Sequence, residues 1–205
     1  MKIELLFITP NAEKIIENIG RTAYLSFERQ KEGSEKAFIK MLIKAGHLSV
    51  LEHAYASFRL SGVSRAMTHQ LVRHRICSFV QQSQRYVNES NFEYVIPDSI
   101  CSDSSLKTKY EKLMENIRQL YKEFLDKGIK KEDARYILPN ATTTQIVATA
   151  NFREWRHIVE LRGDKSAHWE IRKAVIEILK ILKQHAPACF EDLQIDEEKQ
   201  VVYRI

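Results

Sequence analysis

The sequence predicts a mixed α+β fold in which helices dominate, laid out as one domain over residues 1–205. Three observations carry that reading. The 205 residues contain no linker, internal repeat or low-complexity tract that would divide them. Apolar residues make up 44% and charged residues of both signs 29%, a balance that builds a core and excludes a disordered chain. Several stretches carry apolar residues at the helical period, and a few alternate as strands do.

Residues 2–9 read as a strand, a short apolar run ended by Pro10. Asn11 is placed to cap a helix reaching about Ile19, and Ser34 opens another, SEKAFIKMLIKAGH, with Phe38, Met41 and Leu42 at core-facing spacing. In AYASFRLSGV, Tyr55, Ser57 and Arg59 oppose Ala56, Phe58 and Leu60, the pattern of a half-buried strand, and Gly62 marks its end. Ser64 then caps a helix, SRAMTHQLVRHR, running to Arg75, with Met67 and Leu71 turned inward. FEYVIP is extended. The clearest long helix is Ser104–Asp126, with Leu106, Tyr110, Leu113, Ile117, Leu120, Tyr121 and Phe124 at helical spacing and Gly128 as its stop. KKEDARYILP is a short helix closed by Pro139. ATTTQIVATA, rich in β-branched residues, fits a strand or the start of a buried helix. NFREWRHIVELRG and SAHWEIRKAVIEILKILKQH are amphipathic helices, and QVVYRI is a last edge strand.

Composition and missing motifs narrow the chemistry. A net charge of +5, from 32 basic and 27 acidic residues, suits an anionic ligand or weak nucleic-acid affinity. Cys77, Cys101 and Cys189 lie far apart with no C-x-x-C pair, so they read as reduced thiols, and no metal site is expected. The opening MKIELLFITP is too short an apolar run for a signal peptide or membrane span, which points to a cytoplasmic protein. With six glycines and no G-x-G-x-x-G or G-x-x-x-x-G-K-[ST], a phosphate must be held by side chains. H-E-x-x-H and G-x-S-x-G are also missing, which weakens the metallohydrolase and serine-hydrolase readings. Arginine is left as the working residue.

Three segments bear the candidate arginines. On the helix read to Arg75, Gln70 shares a face with Arg73 and His74. Guanidinium gives phosphate paired, charge-assisted hydrogen bonds, and an adjacent imidazole adds a further donor; a solvated helix end is the other reading. Gln81, Gln82, Ser83, Gln84 and Arg85 follow without a carboxylate, donors and acceptors suited to a base edge and a phosphate, or to a plain polar loop. No partner that would activate Ser83 as a nucleophile is visible. In NFREWRHIVELRG, Arg162 falls on the face of Trp155, Ile158 and Val159, where a charge needs a partner unless it snorkels outward. Arg153 and His157, four apart, face elsewhere. Arg135 is a further candidate. His47, His53, His69, His168 and His185 read as surface or core residues, and Trp155 and Trp169 as packing.

Arg73-His74-Arg75 followed after seven residues by Ser83 matches the R-H-R-x7-S signature of flavin-dependent thymidylate synthases. The similarity extends through GHLSVLEHA, THQLVRHR, QQSQRYV, EDARYILP and NFREWRHIVELR. The resemblance implies an antiparallel sheet with long helices and a homotetramer with active sites shared between subunits. It implies FAD as cofactor, with methylenetetrahydrofolate and NADPH as co-substrates for methylation of dUMP to dTMP. By position, Ser49, Arg73, His74, Arg75, Asn151, Arg153 and His157 would contact FAD, with Gln81 between flavin and nucleotide. Gln70, Arg73, Gln82, Ser83, Gln84, Arg85, Arg135 and Arg162 would hold dUMP, Arg162 as the catalytic residue polarising the uracil ring. His47 and Glu52 would line the flavin or folate side. Many relatives carry glutamate at the place of Gln81 and histidine at that of Ser166. The runner-up is a non-enzymatic nucleic-acid-binding protein using the Arg-rich helix 64–75. Against it, the arginines are dispersed and several fall beside buried positions.

Overall fold

A computed structural model describes residues 1–205. Its elements are β1 (Lys2–Ile8), α1 (Ala12–Arg21), α2 (Ser34–Lys44), β2 (Tyr55–Ser64), α3 (Arg65–Leu71), β3 (Ser78–Gln81), α4 (Asp98–Cys101), α5 (Ser104–Asp126), α6 (Lys131–Ala134), β4 (Thr143–Asn151), α7 (Phe152–Gly163), α8 (Trp169–His185), α9 (Pro187–Phe190), β5 (Leu193–Asp196) and β6 (Val201–Arg204). Strands β1, β2, β4 and β3 form an antiparallel sheet in that order. The open segment ATTTQIVATA is therefore a strand, and its β-branched residues sit between two neighbours. The α+β class, with an antiparallel sheet and long helices, holds.

Alternation along β2 decides which side the helices cover. Ala56, Phe58 and Leu60 pair with Ala150, Ala148 and Ile146, all buried, on the face that receives α7 and α8. Trp155 of α7 meets Phe58 edge to face at 5.1 Å and donates its indole N–H to the Ala56 carbonyl at 2.9 Å. That bond satisfies the polar end of a fully buried ring. One cluster of 32 buried residues links the sheet with α1, α2, α3, α7, α8 and α9. No helix is long and apolar enough to cross a membrane.

Several local expectations change. Asn11 does not cap α1 with its side chain; it sits at φ 50°, a left-handed turn that asparagine tolerates. On α2 the buried pair is Ile39 and Ile43, while Phe38 and Leu42 are half-buried and Met41 is exposed. The apolar stripe is wide enough that spacing picks its neighbouring row. Gly62 does not end β2: at φ +66° it forms a bulge between Ser61 and Val63, and the strand continues to Ser64. Segment QVVYRI does supply the expected edge strand, β6, which pairs with β5 in a hairpin separate from the main sheet. Gly128 at φ +81° does close α5, whose Met114 and Tyr121 are buried while Leu106, Leu113 and Leu120 stay exposed.

The change that matters most for the site is at α3. Ser64 caps it as expected, accepting from Met67 N at 3.0 Å, and Met67 and Leu71 are buried. The helix ends at Leu71, however, so Arg73, His74 and Arg75 lie in the turn that leads to β3 rather than on a helical face. A continuous Arg-rich helix 64–75 does not exist, and the docking element of the nucleic-acid reading goes with it.

Candidate active site

The turn after α3 buries His74, 4% exposed, and leaves Arg73 and Arg75 in solvent with no ion-pair partner. His74 lands against α7. Its Nε2 accepts the Nε–H of Arg162 at 3.0 Å, and its Nδ1 faces Glu154 Oε1 at 3.4 Å. Arg162 also donates from Nη2 to the Gln70 carbonyl at 3.2 Å. The apolar-face position of Arg162 thus has its partner, but the partner is a neutral ring and a carbonyl, not a carboxylate. Burial, and then the charge of Arg73, push the Arg162 guanidinium below its ordinary value. A half-buried cation beside a second cation is an environment that favours an anionic or electron-rich ligand.

His74 is held neutral. Burial, then the Arg162 and His157 charges, lower it from its ordinary 6.5 to about 4. Burial raises Glu154, and His157 opposes that shift. The consequence for stability has a definite sign. Between about 4 and 6.5 the unfolded chain binds a proton at this residue that the folded chain refuses, so stability is complete above 6.5 and falls as pH drops toward 4, by roughly 3 kcal/mol at most. Glu154, with its raised value, works the opposite way in that range, so the parent is compared with His74→Gln in urea unfolding at several pH values. The parent is expected to lose stability faster on acidification; equal slopes would refute a neutral buried His74.

A cleft of about 500 Å³ opens at the N-terminal end of α7, lined by Leu48, Glu52, Asn151, Arg153, Glu154 and His157 among others. Asn151 caps that helix, accepting from Glu154 N at 2.8 Å. Arg153 pairs with Glu52 at 2.5 Å, and the His157 ring lies 5.7 Å from that of His74. Four residues assigned to the flavin side, Glu52, Asn151, Arg153 and His157, therefore line one cleft with His74 at its edge. Ser49 is exposed in the 3-10 segment Leu48–His53 that forms the cleft wall, and His47 precedes it, also exposed.

A second group gathers around Glu132. Arg85 pairs with that carboxylate at 2.7 Å, Arg135 donates to the Glu132 carbonyl at 3.1 Å, and Lys131 donates to the Tyr86 carbonyl at 2.8 Å. Ser83 Oγ accepts from Arg85 N at 3.2 Å, an ordinary turn contact. Gln82 donates to the buried Glu89 at 3.1 Å, and its carbonyl is held by Arg65 at 2.6 Å. Gln84 is half-buried beside it. No hydrogen bond or ion pair joins this group to Gln70, Arg73 and Arg162. Gln81 links β3 to α3, donating to Thr68 Oγ1 at 3.0 Å and Thr144 Oγ1 at 3.4 Å. Ser166 bonds Asp164 Oδ1 through its hydroxyl at 2.6 Å and its N–H at 2.8 Å, closing the turn after α7.

Two residues escaped the reading of the sequence. Arg65, on α3, positions the Gln82 backbone, and no spacing in the sequence singles it out. Glu154 stands three residues after the cap Asn151, the place of a capping-box carboxylate, and gives no sign that its side chain turns to His74 instead.

The family described as "Thymidylate synthase complementing protein" matches residues 4–188. A flavin-dependent thymidylate synthase of Geobacter sulfurreducens is 40% identical over 200 residues, covering 94% of this chain and 86% of the relative. One of Pyrococcus abyssi is 48% identical over 159 residues, covering 76% of this chain and 65% of the relative. Among solved structures, thymidylate synthase X of Helicobacter pylori with FAD and dUMP is similar with a TM-score of 0.79 and 27% identity, over 94% of this chain and 98% of that one.

Proposed function

Since the chain belongs to the flavin-dependent thymidylate synthase family, we propose that it methylates dUMP to dTMP with FAD as cofactor, methylenetetrahydrofolate as one-carbon donor and NADPH as reductant. The observation that carries this reading is Arg162, a half-buried cation with no carboxylate partner, oriented by His74 and Gln70 and adjacent to Arg73.

The donor set fits a bound FAD. Arg73 and Arg75 are free of carboxylates, and Asn151, Arg153 and His157 line a neighbouring cleft, so side chains supply the hydrogen-bond donors and positive charge that a pyrophosphate needs. We assign these residues, with Ser49, His74 and Gln81, to its binding. When bound, the flavin supplies the redox chemistry that amino-acid side chains lack.

The residues of the chain bind, orient and polarise. Gln70, Arg73, Gln82, Ser83, Gln84, Arg85, Arg135 and Arg162 hold dUMP, with Arg162 stabilising negative charge that develops on the pyrimidine. A fixed cation in a water-poor site does this far more effectively than one in bulk solvent. No enzyme nucleophile is needed. Burial, and next to it Glu154, push the Cys77 thiol up to about 12, and burial raises Cys189 still more, so neither is a thiolate at neutral pH. Ser83 has no base in contact. Because the Ser83 and Arg162 groups stay apart within one subunit, we infer a homotetramer in which neighbouring subunits complete each site. The whole chain, 1–205, acts as one catalytic domain of a cytoplasmic enzyme.

Mixing the purified protein with dUMP, methylenetetrahydrofolate, FAD and NADPH tests the reading: dTMP is the expected product, and none would sink it. Ser83→Ala should weaken dUMP binding by roughly tenfold, the value of one hydrogen bond to a charged group, and leave residual turnover. Complete loss of turnover at unchanged dUMP affinity would instead indicate covalent catalysis through that hydroxyl.

A further inference from the structure

We propose that Glu154 is a positioning residue that acts through His74: its carboxylate accepts the His74 Nδ1–H and so keeps Nε2 bare to orient Arg162. The proposal rests on Arg162 being the residue that polarises the substrate.

The chain of contacts fixes every proton. Arginine only donates, so the 3.0 Å contact from Arg162 Nε requires an unprotonated Nε2 on His74. A neutral imidazole with a bare Nε2 carries its hydrogen on Nδ1, and the group facing Nδ1 is Glu154 Oε1 at 3.4 Å, an ion-pair distance a little longer than an ordinary N–H···O bond. Both side chains are buried, Glu154 at 7% and His74 at 4% exposed, so water competes little for either proton. Burial also keeps His74 from becoming an imidazolium, whose second N–H would repel Arg162.

The geometry divides the guanidinium into a held edge and a free edge. Nε–H goes to His74 and one Nη2–H goes to the Gln70 carbonyl, which leaves the Nη1 hydrogens and the second Nη2 hydrogen for a ligand. If the imidazole switched tautomer, Nε2–H would point at Nε–H and the held edge would be lost. The other roles open to Glu154 fit less well. As a capping-box residue its carboxylate would return to the Asn151 N–H, which it does not do, although its own N–H is bonded to Asn151 Oδ1. His74, Glu154 and His157 bring ligand atoms within 4.8 Å of one another, as a metal site would. But the Nε2 lone pair is taken by Arg162 and Nδ1 bears the proton, so His74 has no electron pair to offer a metal.

Two measurements test the proposal. Histidine-selective 15N spectra of the parent protein near neutral pH should show His74 as the Nδ1–H tautomer; an Nε2–H tautomer or an imidazolium would overturn it, whatever the protein catalyses. In the same spectra Glu154→Leu should shift His74 away from the pure Nδ1–H form, while Glu154→Gln, whose amide oxygen still accepts, should keep it. Turnover should follow, with kcat down about tenfold to a hundredfold in Glu154→Leu and within about threefold in Glu154→Gln, the range seen when a side chain that orients a functional histidine is removed. Equal kcat in the parent and Glu154→Leu, or an unaltered tautomer in Glu154→Leu, would refute the coupling. Should Glu154→Leu fail to fold, the parent tautomer and the glutamine variant still decide. A parent with the expected tautomer but no dTMP formation would instead count against the assigned reaction.

Discussion

Arg162→Ala should lower kcat for dTMP formation by at least about a hundredfold while the protein stays folded. The size follows from where the charge sits. A single donor aimed at developing negative charge in a desolvated site is worth about 3–4 kcal/mol of barrier, and Arg162 supplies a full charge with three unused N–H groups. The fold loses little, because Arg162 is only half-buried and its removal leaves one imidazole nitrogen without a donor, while the Gln70 carbonyl keeps the Arg73 N–H, a cost of about 1–3 kcal/mol. Arg162→Lys keeps the charge but not the planar fork that bonds His74 and Gln70 at once, so it should recover only part of the rate. Steady-state kinetics with a thermal melt of each variant separates the outcomes. Parent-like turnover in Arg162→Ala would remove the residue from the mechanism, and a collapse of the melt would reassign it to stability.

Much of this site could be read before any fold was known, and the limits have physical causes. Placing Arg162 with Trp155, Ile158 and Val159 required only the helical period, which left a buried partner and an outward snorkel both open; the partner that is present, His74, is 88 residues away in the chain and no periodicity points to it. The helix through Arg75 was over-extended because Gln70, Val72 and Arg73 contain no glycine or proline to stop it. The chain leaves the helix at Leu71 so that β3 can pair with β4, a tertiary demand that overrides local propensity. At Asn11 the residue type signalled a boundary correctly but achieved it with a left-handed backbone instead of a side-chain cap. Segment 141–150 is ambiguous in sequence because alanine and threonine serve either state, and only the register against β2 decides. Resemblance supplied what spacing could not, namely the chemical identity of the ligands those arginines would face.

Asp192→Ala should destabilise the protein by about 3–5 kcal/mol, lowering the melting temperature on the order of 10 °C. Arg156, one residue before His157 on α7, is only 2% exposed, and three of its five N–H groups are bonded. Nη1 and Nη2 each donate to one Asp192 oxygen at 2.6 Å, and Nη1 also reaches the Cys189 carbonyl at 2.5 Å. This bidentate pair fastens α7 to the segment between α9 and β5, on the far side of the helix from Glu154 and His74. Burial would raise the Asp192 carboxyl, but the hydrogen bonds and charge of Arg156, with Arg204 at 3.3 Å, hold it below its ordinary value. Deleting the aspartate strands a buried cation with one carbonyl for company, and that desolvated charge, more than the lost attraction, makes the change costly. Arg156→Met combined with Asp192→Leu removes both charges and should lie much nearer the parent, since a buried ion pair roughly repays its own desolvation. Urea unfolding of the parent, the single variant and the double variant measures the difference. If the single and double variants are equally unstable, packing volume governs this corner of α7; if the single variant matches the parent, the pair contributes nothing to holding the helix that carries the site.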